Sequence, residues 1–396
     1  MKDGVFFVLL LLSFYSCSVK QNELSLIESD YTIDLDGKAD TIALSAFFKS
    51  PKVIILENDS DCLIGRINEF QFFDGFFFIL DKKFSKSLFV FDKDGRFIRK
   101  IGSVGNGPGE YINLVDFSLD TENRIIFLLD HGQRIHKYHI DGSFVKTITP
   151  KVQKSNILSI QYYSGKLYMC VEPYKSTLDD YMLLEAESDD GMILSRYLQR
   201  KYNKGWSKLF TTGHSSFISR LNVPPLYTRL FMDYIVTIGD SIVPYIELKS
   251  KNLSTDKDLI NFPEITEYER FLKAIEDFSK IWDVHSYVEN EDFILFRYRC
   301  GRKTAYNTLI YNKKTKTVRI ANFFINDLIY TSDKRGFGGF VFSDSKGAYE
   351  ILHDKQIANL RESIINNEVL TELDKMNELL QLNEESNPVI LYYEYK

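Results

Sequence analysis

The chain has 396 residues, of which 44% are apolar, 26% charged and 14% aromatic, so it can bury a large core and is neither a disordered nor a collagen-like polymer. Its 49 Lys and Arg face 55 Asp and Glu, a net charge of −6, which argues against nucleic acid or an anionic lipid patch as its main partner. The aromatic share is 31 Phe and 24 Tyr with 2 Trp, and this composition leans towards sheet.

The chain opens with Lys2 and an apolar run from Val5 to Leu12, followed by Ser16-Cys17 and the polar Lys20, Gln21 and Asn22. That run is too short to cross a bilayer, so it reads as a signal segment. Ser16-Cys17 resembles the end of a bacterial lipoprotein signal, in which the cysteine is acylated and becomes the new N-terminus; Phe14 and Asp3 depart from that pattern. The resemblance implies a signal peptide over 1–16, lipid attachment at Cys17 and a lipidated tether over 17–38. It places the protein in the cell envelope, on the outer membrane, facing the periplasm or the surface and held by the lipid alone. Ordinary secretion with cleavage nearby is the alternative. Cys62, Cys170 and Cys300 are too few and too scattered for a disulfide framework and allow at most one bridge.

A repeat of about 48 residues follows. Phe76 to Asp81, Leu88 to Asp92 and Phe97 to Ile101 read as three short strands, the last two joined at Asp94-Gly95. Arg124 to Asp130, Ile135 to Ile140 and Phe144 to Ile148 copy the phrase around Asp141-Gly142. Leu167 to Val171, Tyr181 to Glu185 and Met192 to Leu194 give a third copy around Asp190-Gly191. Asp-Gly between apolar runs predicts tight primed hairpins, in which both residues tolerate positive φ.

A unit this small cannot bury both faces of its sheet alone, and radial stacking of such units gives a propeller. Phe231 to Ile238 with Ile242 to Leu248 makes a fourth blade; Phe293 to Arg299, Thr308 to Tyr311 and Thr317 to Ile320 make a fifth. Gly339 to Phe342 with Ala348 to Leu352 begins a sixth, which the strand at Val53 to Leu56 or the one at Val389 to Tyr395 completes. The fold class is therefore all-β: a six-bladed β-propeller over 39–396. A β-sandwich pair or an open solenoid is the alternative. Two segments break the period. Thr266 to Trp282 has helical spacing and a capping box at Thr266 and Glu269, predicting an inserted helix at about 265–282. Leu370, Leu373, Met376, Leu379 and Leu380 predict a C-terminal helix at about 361–382.

The Gly-rich stretch Ile101-Gly102-Ser103-Val104-Gly105-Asn106-Gly107-Pro108-Gly109-Glu110-Tyr111 follows the first hairpin. With Leu63 to Ile67 and the closing Asn387-Pro388-Val389, it resembles the six-bladed β-propeller lipoproteins of Gram-negative bacteria, relatives of the NHL-repeat propellers. The resemblance implies architecture and envelope location, with extracytoplasmic ligand or partner binding. Physically, the glycines either turn amides outward to cradle an anion or let the chain cross between blades. Pro108 and the strand that follows rule out a dinucleotide fingerprint.

Catalytic patterns are sparse. His131, His136 and His139 cluster in sequence, but on a strand His136 and His139 point to opposite faces, so no metal is expected. Gly213 to Phe217 lacks the closing glycine of a nucleophile elbow. No cofactor and no catalytic residue is assigned. Propellers bind at the mouth of the central channel, and the candidates there are Glu110 and Tyr111 in the crossover, Arg220 and Tyr227 in blade four, and Lys334 and Arg335 before blade six. Tyr and Arg suit sugar rings and carboxylates. The expected function is a lipid-anchored, extracytoplasmic binding or interaction module for a glycan, peptide or envelope protein partner. The alternative is a propeller enzyme, a glycan lyase or hydrolase, with carboxylates converging at the channel mouth.

Overall fold

The computed structural model describes residues 20–22, 28–152, 155–173, 180–200, 216–220, 223–230, 232–253, 281–300, 306–331, 337–370 and 373–396. An N-terminal arm carries β1 (Lys20–Asn22), β2 (Tyr31–Asp34), β3 (Ala39–Ala43) and β4 (Lys52–Ile55). Blade one is β5 (Glu69–Phe73), β6 (Phe76–Asp81), β7 (Ser87–Asp92) and β8 (Phe97–Ile101). The crossover holds two short strands, β9 (Ser103–Val104) and β10 (Glu110–Tyr111). Blade two is β11 (Leu114–Asp120), β12 (Ile125–Asp130), β13 (Ile135–His139) and β14 (Phe144–Ile148). Blade three is β15 (Ser155–Tyr163), β16 (Lys166–Pro173), β17 (Asp180–Glu187) and β18 (Ile193–Arg200). Blade four is β19 (Phe217–Ile218), β20 (Leu226–Tyr227), β21 (Tyr234–Ile238) and β22 (Ile242–Lys249). Blade five is β23 (Ile281–Glu289), β24 (Phe293–Cys300), β25 (Asn307–Asn312) and β26 (Thr317–Ile325). Blade six is β27 (Phe342–Ser343), β28 (Gly347–Leu352), then α1 (Asp354–Ile365) and α2 (Met376–Gln381), and finally β29 (Val389–Glu394).

The arm explains how the ring holds. β1, β2 and β3 pair in parallel with the outermost strands of blades three, four and five. β4 pairs antiparallel with β29 and becomes the outer strand of blade six, so both terminal strands named from the sequence complete that blade. The stretch 17–38, expected as a tether, thus contains two strands laid onto the propeller.

Each seam between blades is one hydrophobic core. In β6, Phe77 and Ile79 pack towards blade six while Phe78 and Leu80 pack towards blade two. Successive strand residues point to opposite faces, so a strand covered on both sides reads as an unbroken apolar run. That is the physical content of Phe76 to Leu80. Truncating a buried Phe of this kind to Ala costs about 3–5 kcal/mol.

The hairpins differ from the expected primed turns. Asp92 N–H donates to Arg96 O at 2.9 Å and Gly95 N–H to Asp92 O at 3.0 Å, and the ladder shifts register at Val90 and Phe91. His139 to Ser143 repeats this geometry. These are three-residue loops in which the glycine takes positive φ, +89° at Gly95, while Asp94 does not. The two-residue loops stand one hairpin earlier, at Asp74-Gly75 with φ of 51° and 80° and at Ser164-Gly165 with 48° and 81°. In blades one and two an aspartate at the end of the second strand gathers the neighbouring loops. Asp81 accepts N–H bonds from Gly65, Phe84 and Ser85, and Asp130 bonds Arg134.

Two helical expectations change. Residues 265–280 lie outside the described residues, and Ile281 and Trp282 begin β23, where Ile281 pairs with Cys300 and donates to Asn252 O at 2.7 Å. The C-terminal helix starts earlier and splits. α1 ends at Asn366-Asn367, where Asn367 takes φ of 56°, and Leu370 bonds back to Ile329 O instead of continuing a helix. None of Cys62, Cys170 and Cys300 is in a disulfide. Among the described residues no helix is long and apolar enough to cross a membrane.

A Cβ on Gly95 would run into the Ile55 carbonyl of the closing strand, whereas one on Gly75 would meet nothing within 4 Å. Gly75→Ala should therefore cost about 1 kcal/mol of backbone strain, and Gly95→Ala clearly more. Denaturant unfolding of the two variants checks the order; equal losses would show that β4 does not press on blade one.

Candidate functional site: the blind central pit

The six first strands, β5, β11, β15, β19, β23 and β27, surround a cavity of about 280 Å³ on the ring axis. Such a strand has its ladder partner on one side only, so the polar groups of its inner edge need other partners. Blade two supplies them to blade three. Asp116 accepts from Ile160 N–H at 2.9 Å, and Ser118, one pleat further along β11, accepts from Tyr162 N–H at 2.8 Å.

This pairing builds two polar layers. In the lower layer Gln161 donates to Ser118 at 3.2 Å and accepts from Ser219 Oγ at 2.7 Å, and Gln71 reaches Ser219 at 3.5 Å. Blades one and four are opposite one another in a ring of six, so the Gln71–Ser219 contact spans the axis and floors the cavity. One pleat towards the starts of these strands lie Glu69, paired with Lys82 Nζ at 2.8 Å, and Asp116. Asp116 is 2% exposed. Burial, then the charge of Glu69, pushes its carboxyl up to about 8 against the pull of Lys82, so it is protonated at neutral pH. On Lys82, burial works against the charged form, but Glu69 and Asp116 outweigh it and its pKa is raised.

Blades three to five add ion pairs around the same mouth. Arg229 contacts Glu172 at 3.3 Å and donates to Val171 O at 3.0 Å; Arg299 lies 3.5 Å from Asp283. Tyr306 is stacked by Arg297 and Arg299, 4.6 and 4.7 Å from its ring centre, with His285 edge-on at 4.3 Å. Arg297 also bonds Gly338 O, and Gly338 N–H donates to Glu350 at 3.1 Å. Burial pushes the Glu350 carboxyl up to about 7. Gly339, at φ +114°, leaves the room Arg297 occupies, since a Cβ there would lie 2.6 Å from its Nη1. Lys82 is thus paired with Glu69, Arg229 with Glu172 and Arg299 with Asp283, while Arg297 adds a fourth cation beside Glu350. Among the described residues no cluster of three or more His, Cys, Asp or Glu could hold a metal.

The structure places the residues singled out from the sequence elsewhere. Glu110 accepts from Gly107 N–H at 2.7 Å and buttresses its own crossover. Tyr111, 1% exposed, lies in the core between blades one and two, where burial pushes its hydroxyl up to about 12. Tyr227, fully buried, lies between blades three and four with its hydroxyl on Met182 O at 3.3 Å. Arg220 is at the far end of the inner strands, bonded to Glu289 at 2.9 Å and stacked on Tyr245. Glu289 also binds Lys313 at 2.6 Å and the hydroxyls of Tyr245 and Tyr287; these bonds outweigh its burial and hold its pKa below the usual range. Lys334 and Arg335, like Cys17, lie outside the described residues. The residues that do line the pit, Glu69, Gln71, Asp116, Gln161, Ser219 and Asp283, were missed. Their signal is polarity at alternate positions of a first strand, as in Glu69-Phe-Gln71 and Asp116-Phe-Ser118.

Fold and site together define a six-bladed β-propeller with a blind, polar-floored pit on its axis. The chain belongs to the family described as a domain of unknown function, DUF4934, whose model matches residues 30–394. It is similar to a solved protein of Bacteroides fragilis, provisionally described as exported, with 22% identity over 92% of this chain and 99% of that one, at a TM-score of 0.67. It is also similar to a DUF4221 family member from Bacteroides vulgatus, with 12% identity over 88% and 98% of the two chains and a TM-score of 0.53. These likenesses show the fold. A comparison with curated proteins finds no match.

The buried acids set a pH dependence. Between about 4 and about 8 the unfolded chain releases the proton that folded Asp116 retains, so stability falls as pH rises through that window; Glu350 acts the same way up to about 7. His136 and His353, whose pKa values burial lowers from 6.5, pull the other way, so the test is the comparison: from pH 5 to pH 8 the melting temperature of the wild type should fall relative to that of Asp116→Asn by several degrees. Parallel curves would contradict protonated Asp116.

Proposed function

We propose that the chain is an exported, lipid-anchored envelope protein of the six-bladed propeller lipoprotein type, acting as a binding module whose pit takes the terminal unit of an uncharged glycan. The observation that carries this reading is the uncharged Gln71–Ser219–Gln161 floor of the pit. Amides, hydroxyls and a protonated carboxyl offer both donors and acceptors to sugar hydroxyls. A volume of about 280 Å³ is at the small end of ligand pockets, which suits one ring or one side chain and leaves the rest of a polymer outside. Support for export comes from the apolar run from Val5 to Leu12 followed by Ser16-Cys17, and from the description of the similar Bacteroides fragilis protein as exported.

The test is calorimetric titration of the soluble chain, begun at Ser18, with neutral oligosaccharides, peptidoglycan fragments and peptides. A neutral glycan should bind, and Gln71→Ala should weaken it at least tenfold while leaving the melting temperature within a few degrees. Binding of peptides alone, or glycan binding indifferent to Gln71→Ala, would overturn the reading. One observation favours catalysis as a second reading: Glu69 and Asp116 converge on the same mouth beside Lys82. New reducing ends or unsaturated products that disappear in Glu69→Gln would establish it. For the anchor, Cys17→Ala should release the protein from membranes; a variant still acylated and membrane-bound would refute it.

A further inference from the structure

The register of the N-terminal arm gives the anchor a direction. β1 runs parallel to β18, with Lys20 opposite Ser195 and Asn22 opposite Tyr197. β18 starts at the hairpin over 187–193 and ends beside the start of β15, because Asp180 pairs with Arg200 and Ser155 with Pro173. Lys20 therefore lies at the hairpin end of blade three, opposite the end where the first strands begin and where Glu69 and Asp116 form the mouth. From Cys17 to Lys20 the chain spans at most about 10 Å, whereas a free tether from Cys17 to Ala39 would reach about 75 Å.

The hairpin end also carries exposed apolar side chains on neighbouring outer strands, although the mouth end has its own in Leu63, Phe84, Ile112 and Val341. Met192, 57% exposed, is in the blade-three hairpin; Phe144 and Val145 open β14, and Ile98 is the second residue of β8. Among the described residues blades one and two carry no added fifth strand, so these groups are not covered by the arm.

Resting on the lipid-anchor reading of Cys17, we infer that β1 is a clip that seats the hairpin rim of blade three, with Met192, on the lipid surface and holds the pit mouth facing away from the membrane. With β1 paired the reach is about 10 Å; with β1 released, the next fixed point is β2 and the reach grows to about 50 Å.

The experiment uses the acylated full chain in vesicles of phosphatidylethanolamine and phosphatidylglycerol containing headgroup-nitroxide lipid. In a Cys300→Ser background, a fluorophore is placed at Met192→Cys or at Phe84→Cys, the latter in the loop after β6 at the mouth end and 69% exposed. Quenching at 192 should exceed that at 84 several-fold, and a twenty-residue Gly/Ser insertion after Ser18 should erase the difference while the protein still sediments with the vesicles. Equal quenching at both positions of the acylated chain, or a difference that survives the insertion, would overturn the clip alone. Mass spectrometry showing no acyl group on Cys17 would overturn the anchor and the clip together.

Discussion

A ring of sheets covers all its faces only if the last sheet meets the first, and everything else in this molecule depends on that junction. β4 makes it by pairing with β29, while the turn at Gly95 presses on Ile55 and Glu57 N–H donates to Gly95 O at 2.7 Å. Without the junction the seam that buries Phe70, Phe77, Phe89, Tyr349 and Ile390 would be open to water. The six seams are alike in kind, and this one joins the last blade to the first. Parallel addition of β1, β2 and β3 then wraps three further edges and removes sites at which another chain could pair.

The pit follows from the same geometry. First strands crowd around the axis with one edge unpaired, and side chains of the neighbouring blade must reach across to satisfy their amides. Asp116 and Ser118 do this for Ile160 and Tyr162, and Gln161, Ser219 and Gln71 extend the network over the axis. Groups placed to complete the fold are thus the groups that floor the cavity. The acidity of Asp116 is set by the same burial: a carboxyl needed as an acceptor for Ile160 N–H is kept where its charge is disfavoured.

The blades were legible because their strands are buried on both faces. Phe76 to Leu80 and Ile125 to Leu129 are continuous apolar runs, and the Asp-Gly turns fix their spacing. The turn type was misread because Asp-Gly serves both two- and three-residue hairpins, and the loop length is set by the register of flanking strands. The residues that line the pit were illegible for a different reason. Arg220, Tyr227 and Tyr111 have the chemistry of ligand contacts, but the first is committed to Glu289 and the other two to seams, and which residues meet at the axis depends on closing the whole ring. Glu69 and Gln71 do show the alternation of a half-buried strand, which is the one local trace of a channel wall. The split of the expected C-terminal helix turned on Asn367, whose left-handed backbone no apolar periodicity reports.

The order in which the chain is made gives the closing junction one more consequence. β4 is made long before β29, and the Lys52–Glu394 pair joins positions 342 residues apart. Contacts this distant pay the largest loop-closure entropy and form late. Until β29 pairs with β4, blades one to five can stack in sequence while one greasy flank at each end waits uncovered. That window is when a chaperone escort matters most, and it ends only when the final strand arrives.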